Sequence, residues 1–97
     1  MRTDLFSLVG RVAVVTGGSR GLGAVSAEAL LAYGAARVYI TARKAEACRA
    51  TAAALNAASA GGCIDVPADL STIEGCRAFA AEIASREEGL GVLVNNA

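Results

Sequence analysis

A glycine-rich turn between a short apolar run and a helical segment constrains the fold of this chain more than any other feature. The turn reads Thr16-Gly17-Gly18-Ser19-Arg20-Gly21-Leu22-Gly23. It follows residues 12–15, a β-branched apolar run typical of a strand buried on both faces. A helical pattern covers residues 23–33 and stops at Gly34. This order predicts an α/β unit in which the turn faces a ligand.

Strand and helix patterns alternate along the rest of the chain. Further strands are predicted for residues 37–41, 63–66 and 92–94. The strand ended by Pro67 is the weakest of these. One helix is predicted for the alanine-rich residues 45–58. A last helix is predicted from Ser71, because Ser71 and Glu74 have the spacing of a capping box, to a break at Gly89.

Each predicted helix carries an apolar stripe that we expect to face the sheet. The stripes consist of Val25, Ala29 and Tyr33 in the first helix, Cys48, Ala52 and Leu55 in the second, and Ile73, Cys76, Phe79, Ala80 and Ile83 in the third. In the leader of residues 1–10, we expect Leu5, Phe6, Leu8 and Val9 to pack under the sheet.

The order β-α-β-α-β-α-β predicts an α/β fold with parallel strands joined by helical crossovers. Right-handed crossovers place the first two helices on one face of the sheet, and a return of the chain past the first strand places the third helix on the other face. The result is a doubly wound sheet with strand order 3-2-1-4. Ligands bind such sheets where the order reverses, beyond the carboxyl ends of the strands. The glycine turn and Asn95-Asn96-Ala97 flank that crevice.

Composition excludes several other classes of protein. The 97 residues allow one domain, and nine basic residues balance nine acidic ones, which disfavours nucleic-acid binding. The absence of histidine excludes a histidine-containing triad or zinc site. Neither a membrane-spanning run nor the apolar core of a secretory signal is present. Cys48, Cys63 and Cys76 form no CxxC pair, so we expect buried or half-buried thiols and a cytoplasmic location.

The spacing of the three key glycines suits a bound pyrophosphate. Gly17 allows a sharp turn out of the strand, Gly21 removes a side chain where the phosphates approach, and Gly23 allows close packing of the helix. The helix then directs its free N–H groups and its positive dipole end at the phosphates. The alternative is a plain strand-to-helix turn.

Basic residues near the second strand favour NADP over NAD. An NAD site carries an acid about twenty residues after the turn, and no acid lies there before Glu46. Arg43 could instead pair with a 2′-phosphate, a contact worth about 1.5–3 kcal/mol, and Arg20 could reach the same phosphate from the turn. Lys44 is expected to be solvated. Alternatively, Arg43 is only an exposed residue at the end of a strand.

Asp69 follows the third strand and has two possible roles. Its carboxylate could accept a hydrogen bond from the exocyclic amine of an adenine, with the backbone of Leu70 beside it. From the residues alone we prefer a capping or turn role ahead of Ser71.

Taken together, these motifs resemble the short-chain dehydrogenase/reductase family. The resemblance rests on the glycine turn, on Asp69-Leu70 and on Asn95-Asn96-Ala97, and it covers residues 8–97. Segments 6–8 and 38–44 are similar to NADP-dependent β-ketoacyl reductases, including the rhamnolipid-type branch.

The resemblance implies a Rossmann fold and hydride transfer between NADPH and a carbonyl or alcohol substrate. It places Asp69 at the adenine and Asn95 on the adenosine side. The candidate cofactor-binding residues are Gly17, Ser19, Arg20, Gly21, Leu22, Gly23, Arg43, Asp69, Leu70, Asn95 and Ala97. Full-length family members are expected to be homo-oligomers.

No residues of this chain match the catalytic Ser, Tyr and Lys of the family. Lys44 is its only lysine, and arginine stands four residues after each of Tyr33 and Tyr39. We therefore interpret residues 1–97 as the N-terminal half of a dinucleotide-binding domain that has no turnover alone. A non-catalytic nucleotide-binding module or an inactive fragment is the alternative. We also expect residues 92–94 to form an unpaired, partly exposed edge that favours self-association.

Overall fold

Four strands and three helices alternate through the computed structural model, which describes residues 8–18, 21–59 and 61–96. In chain order they are β1 (Val12–Thr16), α1 (Gly21–Ala32), β2 (Arg37–Thr41), α2 (Ala45–Ala58), β3 (Cys63–Asp65), α3 (Ile73–Arg86) and β4 (Val92–Asn95). Every predicted element is therefore present. Helix α1 begins two residues earlier than predicted, at Gly21, and β3 ends one residue earlier, at Asp65.

The strands form one parallel sheet in the order β3-β2-β1-β4, as the crossover argument predicts. In the register of this sheet, Thr16 of β1 lies opposite Thr41 of β2 and Asn95 of β4. These three polar residues thus form one row across the carboxyl end of the sheet.

Apolar residues cover both faces of the sheet. On one face, α1 and α2 enclose a cluster centred on Val15, Val38 and Ile40. The predicted stripe of α2 lies in this cluster, because Cys48, Ala52 and Leu55 are all buried there. On the other face, a smaller cluster contains Val12, Val14, Tyr39, Val66 and Ile83.

The predicted stripe of α1 is wrong. Val25 and Tyr33 are 60% and 58% exposed, whereas Gly23 and Ala27 are buried against the sheet. Because α1 is apolar on nearly all sides, its periodicity does not fix which face turns inward.

The stripe of α3 packs at only one end. Ile83 is buried and Phe79 is half-buried, but Ile73, Cys76 and Ala80 are exposed. An apolar groove of about 540 Å³ consequently lies between α3 and β4. The exposure of Cys76 also corrects the expectation that all three thiols are covered.

The other two thiols, Cys48 and Cys63, are buried as expected. Burial raises the pKa of Cys48, and it raises the pKa of Cys63 to about 11. Both side chains therefore belong to the core, where burial disfavours the thiolate form.

The leader matches its prediction in part. Leu8 packs against the core, but Val9 is 77% exposed, and Leu5 and Phe6 lie outside the described residues. None of the helices that the structure describes is both long and apolar enough to cross a bilayer.

The cap of α3 is Thr72 rather than the predicted Ser71. The Thr72 hydroxyl accepts a hydrogen bond from the N–H of Gly75 at 2.9 Å, whereas Ser71 bonds back to Asp69. We expect Thr72→Ala to lower the free energy of unfolding by about 1 kcal/mol, because a helix N–H loses its acceptor. Urea denaturation measures this loss. Glu74→Ala is the control for the capping box, and an equal loss in that variant would contradict the assignment.

Candidate functional site

A cleft of about 440 Å³ opens at the carboxyl end of the sheet, where the strand order reverses. Both predicted segments meet there, since the glycine turn and the Asn95-Asn96 pair contribute to its walls. The cleft is lined by Thr16, Gly17, Thr41, Ala42, Arg43, Ala68, Leu70, Ser71, Asn95 and Asn96. Candidates Gly17, Arg43, Leu70 and Asn95 are therefore brought together, whereas Ser19, Arg20 and Ala97 lie outside the described residues.

The glycine turn needs glycine for two different physical reasons. Gly17 and Gly21 have φ values of +66° and +61°, a conformation that side chains disfavour. Gly23 has an ordinary backbone, but a Cβ there would lie 2.1 Å from the carbonyl oxygen of Gly17. The first turn of α1 thus packs directly on the glycine turn. The predicted close approach at Gly23 is real, but its neighbour is the turn rather than the strand.

Gly21 and Leu22, the first two residues of α1, are exposed. A Cβ at Gly21 would meet no heavy atom within 4 Å, and the side chain of Leu22 is 77% exposed. The first N–H groups of α1 have no acceptors within the helix, because no helical turn precedes them. Their positive end is a suitable place for an anion.

A hydrogen-bond network joins the glycine turn to the end of β4. The backbone N–H of Asn96 donates to the Thr16 hydroxyl at 2.9 Å, and that hydroxyl donates to Oδ1 of Asn95 at 3.1 Å. The Asn96 amide reaches the carbonyl oxygen of Gly17 at 3.4 Å. Thr16 therefore positions the side chain of Asn95 through a hydrogen bond. The side chain of Asn96 donates to the carbonyl oxygen of Gly17, which is also the atom nearest to Gly23.

Thr41 adds a buried hydroxyl to the cleft wall. The residue is 1% exposed, and its Oγ1 has no hydrogen-bond partner among the described residues. Its backbone carbonyl accepts from the N–H of Gly18 at 3.1 Å, which fixes the turn to β2. Sequence reasoning missed Thr41 as a site residue. It placed Thr16 and Asn96 in the segments that flank the crevice but gave them no role, because only the strand register brings the three side by side.

Arg43 lies on the cleft wall that β2 supplies. Its side chain is exposed, and its positive charge helps to lower the pKa of Asp69. Lys44 is the exposed N-cap residue of α2, and its side chain makes no capping bond. Glu46 lies in the first turn of α2 and is not part of the cleft lining.

Asp69 has the turn role that the residues alone favour. Its Oδ1 accepts from the hydroxyl of Ser71 at 2.5 Å and from the backbone N–H of Ser71 at 3.0 Å. These two bonds, the hydroxyl first, lower the pKa of the Asp69 carboxyl. The turn places Leu70 and Ser71 in the cleft wall.

This arrangement is suited to binding a phosphorylated ligand. Among the described lining residues, Arg43 is the only one with an ionisable side chain. Tyr39 points away from the cleft, because its hydroxyl bonds to Glu87 near the opposite end of the sheet. The glycine turn, the N-terminus of α1 and an arginine fit a ligand with a pyrophosphate and a further phosphate.

Comparison with known proteins gives a consistent result. Residues 11–97 match the family model for short chain dehydrogenases. The chain is 52% identical over 92 residues to a rhamnolipids biosynthesis 3-oxoacyl-[acyl-carrier-protein] reductase of Pseudomonas aeruginosa, covering 95% of this chain and 35% of that protein. It is 41% identical over 90 residues to a sorbitol dehydrogenase of Cereibacter sphaeroides, covering 93% and 33%.

Two solved structures share this fold and were determined with a nicotinamide cofactor. The Pseudomonas aeruginosa RhlG/NADP active-site complex superposes with a TM-score of 0.87 at 52% identity, covering 95% of this chain and 36% of that one. The L-sorbose reductase of Gluconobacter frateurii, complexed with NADPH and L-sorbose, gives 0.87 at 33% identity, covering 95% and 35%. The chain thus spans about a third of the length of these relatives.

Proposed function

The chain belongs to the short-chain dehydrogenase family, and we propose that it is the NADP(H)-binding part of an oxidoreductase. Residues 1–97 would form the N-terminal half of a dinucleotide-binding Rossmann domain. The longer protein would transfer hydride from NADPH to a carbonyl substrate or, in the reverse direction, from an alcohol substrate to NADP+.

The contact between α1 and the glycine turn is the observation that carries this proposal. Because Gly23 lies against the carbonyl of Gly17, position 23 has no room for a side chain, and α1 begins directly beside Gly17, which lines the cleft. A pyrophosphate would accept hydrogen bonds from these N–H groups. The NADP and NADPH complexes of the two related reductases support the choice of ligand.

We propose the other cofactor contacts from the family resemblance, together with the lining of the cleft. Arg43, together with Arg20, would pair with the 2′-phosphate, and Asp69 and Leu70 would border the adenine. Asn95 would contact the adenosine side, where Thr16 holds its amide oxygen. The proposed binding residues are Gly17, Ser19, Arg20, Gly21, Leu22, Gly23, Arg43, Asp69, Leu70, Asn95 and Ala97.

We propose further that this chain binds the cofactor without turnover. Arginine, not lysine, stands four residues after each of Tyr33 and Tyr39, so the family's Tyr-x-x-x-Lys pair has no match in these residues. The substrate contacts and the homo-oligomer interfaces would belong to the longer protein. Its cytoplasmic location would agree with three free thiols.

An Arg43→Asp variant tests the cofactor assignment. We expect it to bind NADPH at least tenfold more weakly and NADH equally or more tightly, because one charge-assisted pair is replaced by repulsion. Calorimetric titration with NADPH, NADH and 2′-phospho-AMP measures the change.

Lys44→Asp is the matched control, since it makes the same charge change one residue away and outside the cleft lining. It should leave the preference for NADPH intact. Equal NADPH affinity in the Arg43→Asp variant and the unmodified chain would refute the arginine assignment. No binding of any nucleotide by the unmodified, folded chain would refute the proposed function.

A further inference from the structure

Gly75, in the first turn of α3, lies directly against the turn of residues 69–71. A Cβ at this position would lie 1.8 Å from the carbonyl oxygen of Asp69 and 2.9 Å from the hydroxyl oxygen of Thr72. Glycine is unfavourable inside a helix, and Gly75 does not have the positive φ that would require it. The contact with Asp69, and not the backbone conformation, therefore explains a glycine at this position.

Two hydrogen bonds hold the same turn against α3. The Thr72 hydroxyl donates to the carbonyl oxygen of Asp69 at 3.3 Å, while it accepts from the N–H of Gly75. The thiol of Cys76 donates to the carbonyl oxygen of Leu70 at 3.2 Å. The first residues of α3 thus fix the position of the 69–71 turn.

Residues of this turn also form part of the cleft wall. Leu70 and Ser71 belong to the cleft lining, as does Ala68 just before them. The backbone N–H of Ala68 donates to the carbonyl oxygen of Ala42 at 3.1 Å, next to Arg43. The segment is therefore held between the end of β2 and the start of α3, and a shift at α3 would change the wall of the cleft.

The glycine turn is built in the same way, since Gly23 of α1 lies against the carbonyl oxygen of Gly17. In both places the first turn of a helix packs a Cα without a side chain on a carbonyl of the turn before it. In the proposed function, the glycine turn binds the phosphates, and Asp69 and Leu70 border the adenine. The starts of α1 and α3 would then position two different parts of one site.

We propose that Gly75 is a positioning residue for recognition of the base. It holds the 69–71 turn where the Asp69 carboxylate accepts a hydrogen bond from the exocyclic amine of the adenine, so this inference rests on the proposed function. Ser71 donates two hydrogen bonds to that carboxylate and keeps it fixed within the turn. A Cβ at position 75 would displace the carbonyl of Asp69 and with it the carboxylate. A small displacement is enough, because hydrogen bonds weaken steeply when their distance and angle change.

Gly75→Ala tests the proposal when it is titrated with two dinucleotides. The first is NADPH, and the second is its hypoxanthine counterpart, in which a carbonyl oxygen replaces the exocyclic amine. The unmodified chain should bind NADPH about tenfold more tightly, since a carboxylate accepts from an amine and repels a carbonyl oxygen. In Gly75→Ala this ratio should fall below about threefold. The urea midpoint should also fall, although the change from glycine to alanine in a helix ordinarily raises it.

Gly23→Ala is the matched control, because it adds the same methyl group against a turn carbonyl on the phosphate side of the site. It should weaken the binding of both dinucleotides equally and leave their ratio unchanged. Cys76→Ala is a second, milder variant, which removes a hydrogen bond to Leu70 without adding an atom. It should fold and should lower the ratio about twofold, whether or not Gly75→Ala folds.

The outcomes separate this inference from the proposed function. An unmodified ratio in Cys76→Ala and in folded Gly75→Ala would overturn the role of the α3 start and leave the proposed function in place. An equal fall of the ratio in Gly23→Ala would do the same, because the effect would then not belong to the 69–71 turn. An unmodified chain that binds both dinucleotides equally would overturn the contact between Asp69 and the base. A chain that binds neither would refute the proposed function itself.

Discussion

A Gly23→Ala variant should lose nucleotide binding and several degrees of thermal stability. Its Cβ would lie 2.1 Å from the carbonyl oxygen of Gly17 and 3.0 Å from the amide nitrogen of Asn96. Because the first obstacle is a backbone atom, α1 and the turn must separate. Overpacking of this kind costs about 1–3 kcal/mol, a large part of the stability of a small domain.

The expected loss of binding exceeds what the loss of stability alone would cause. Displacing α1 moves the N–H groups of its first turn away from the position that we propose for the phosphates. We expect at least a tenfold weaker affinity for NADPH, measured by titration at a temperature where the variant is still folded. Urea denaturation gives the stability change in the same samples.

Gly89→Ala is the matched control, because a Cβ at Gly89 would meet no heavy atom within 4 Å. It should bind NADPH normally and unfold within about 0.5 kcal/mol of the unmodified chain. If Gly23→Ala behaved like Gly89→Ala, the close packing of α1 on the turn would not exist as described.

The topology of the sheet was predictable because it follows from local patterns. The alternation of short apolar runs with longer helical segments predicts parallel strands, and a doubly wound sheet that returns past β1 has the order β3-β2-β1-β4. The stripe of α2 was also predictable, since alanines and polar residues surround Cys48, Ala52 and Leu55.

The orientation of α1 was not predictable from its periodicity. Leu22, Val25 and Tyr33 are as apolar as the residues that turn inward, so hydropathy gives no preferred face. The close contact of Gly23 with Gly17 sets the orientation instead. Sequence reasoning identified Gly23 as a close-approach residue but did not use it to choose the buried face.

Other contacts could not be predicted from the sequence because they join residues that are far apart in the chain. Thr16 and Asn96 are eighty positions apart, and only the register between β1 and β4 brings them into hydrogen-bond distance. The same holds for a cluster of Arg37, Tyr39 and Glu87, which no local pattern indicates.

This cluster links the C-terminal end of α3 to β2 through hydrogen bonds. Oε1 of Glu87 accepts from a terminal nitrogen of Arg37 at 2.8 Å, and Oε2 accepts from the Tyr39 hydroxyl at 2.6 Å. The Glu87 side chain is only 7% exposed, and its backbone N–H donates to the carbonyl of Ile83. Arg86 lies 6.0 Å from the centre of the Tyr39 ring. Since only one end of the α3 stripe is buried, we expect the helix to depend on these contacts.

Glu87→Gln should therefore lower the melting temperature by several degrees at neutral pH, where the carboxylate is charged. The hydrogen bond from Arg37, followed by the one from Tyr39, lowers the pKa of Glu87 to about 2 from an ordinary value of 4.5. Glu88→Gln is the control, because Glu88 is the next residue and is exposed. It should change the free energy of unfolding by less than about 0.5 kcal/mol.

Acid titration separates this charge effect from a simple packing defect. A carboxyl group whose pKa is lowered by folding stabilises the native state above pH 4.5, and that stabilisation is lost as the pH falls toward 2. The unmodified chain and Glu88→Gln should lose stability across this window, while Glu87→Gln should lose less, so that its urea midpoint approaches theirs near pH 2. A constant difference between the Glu87→Gln and unmodified midpoints from pH 7 to pH 2 would show that the Glu87 carboxylate does not hold α3 through its charge.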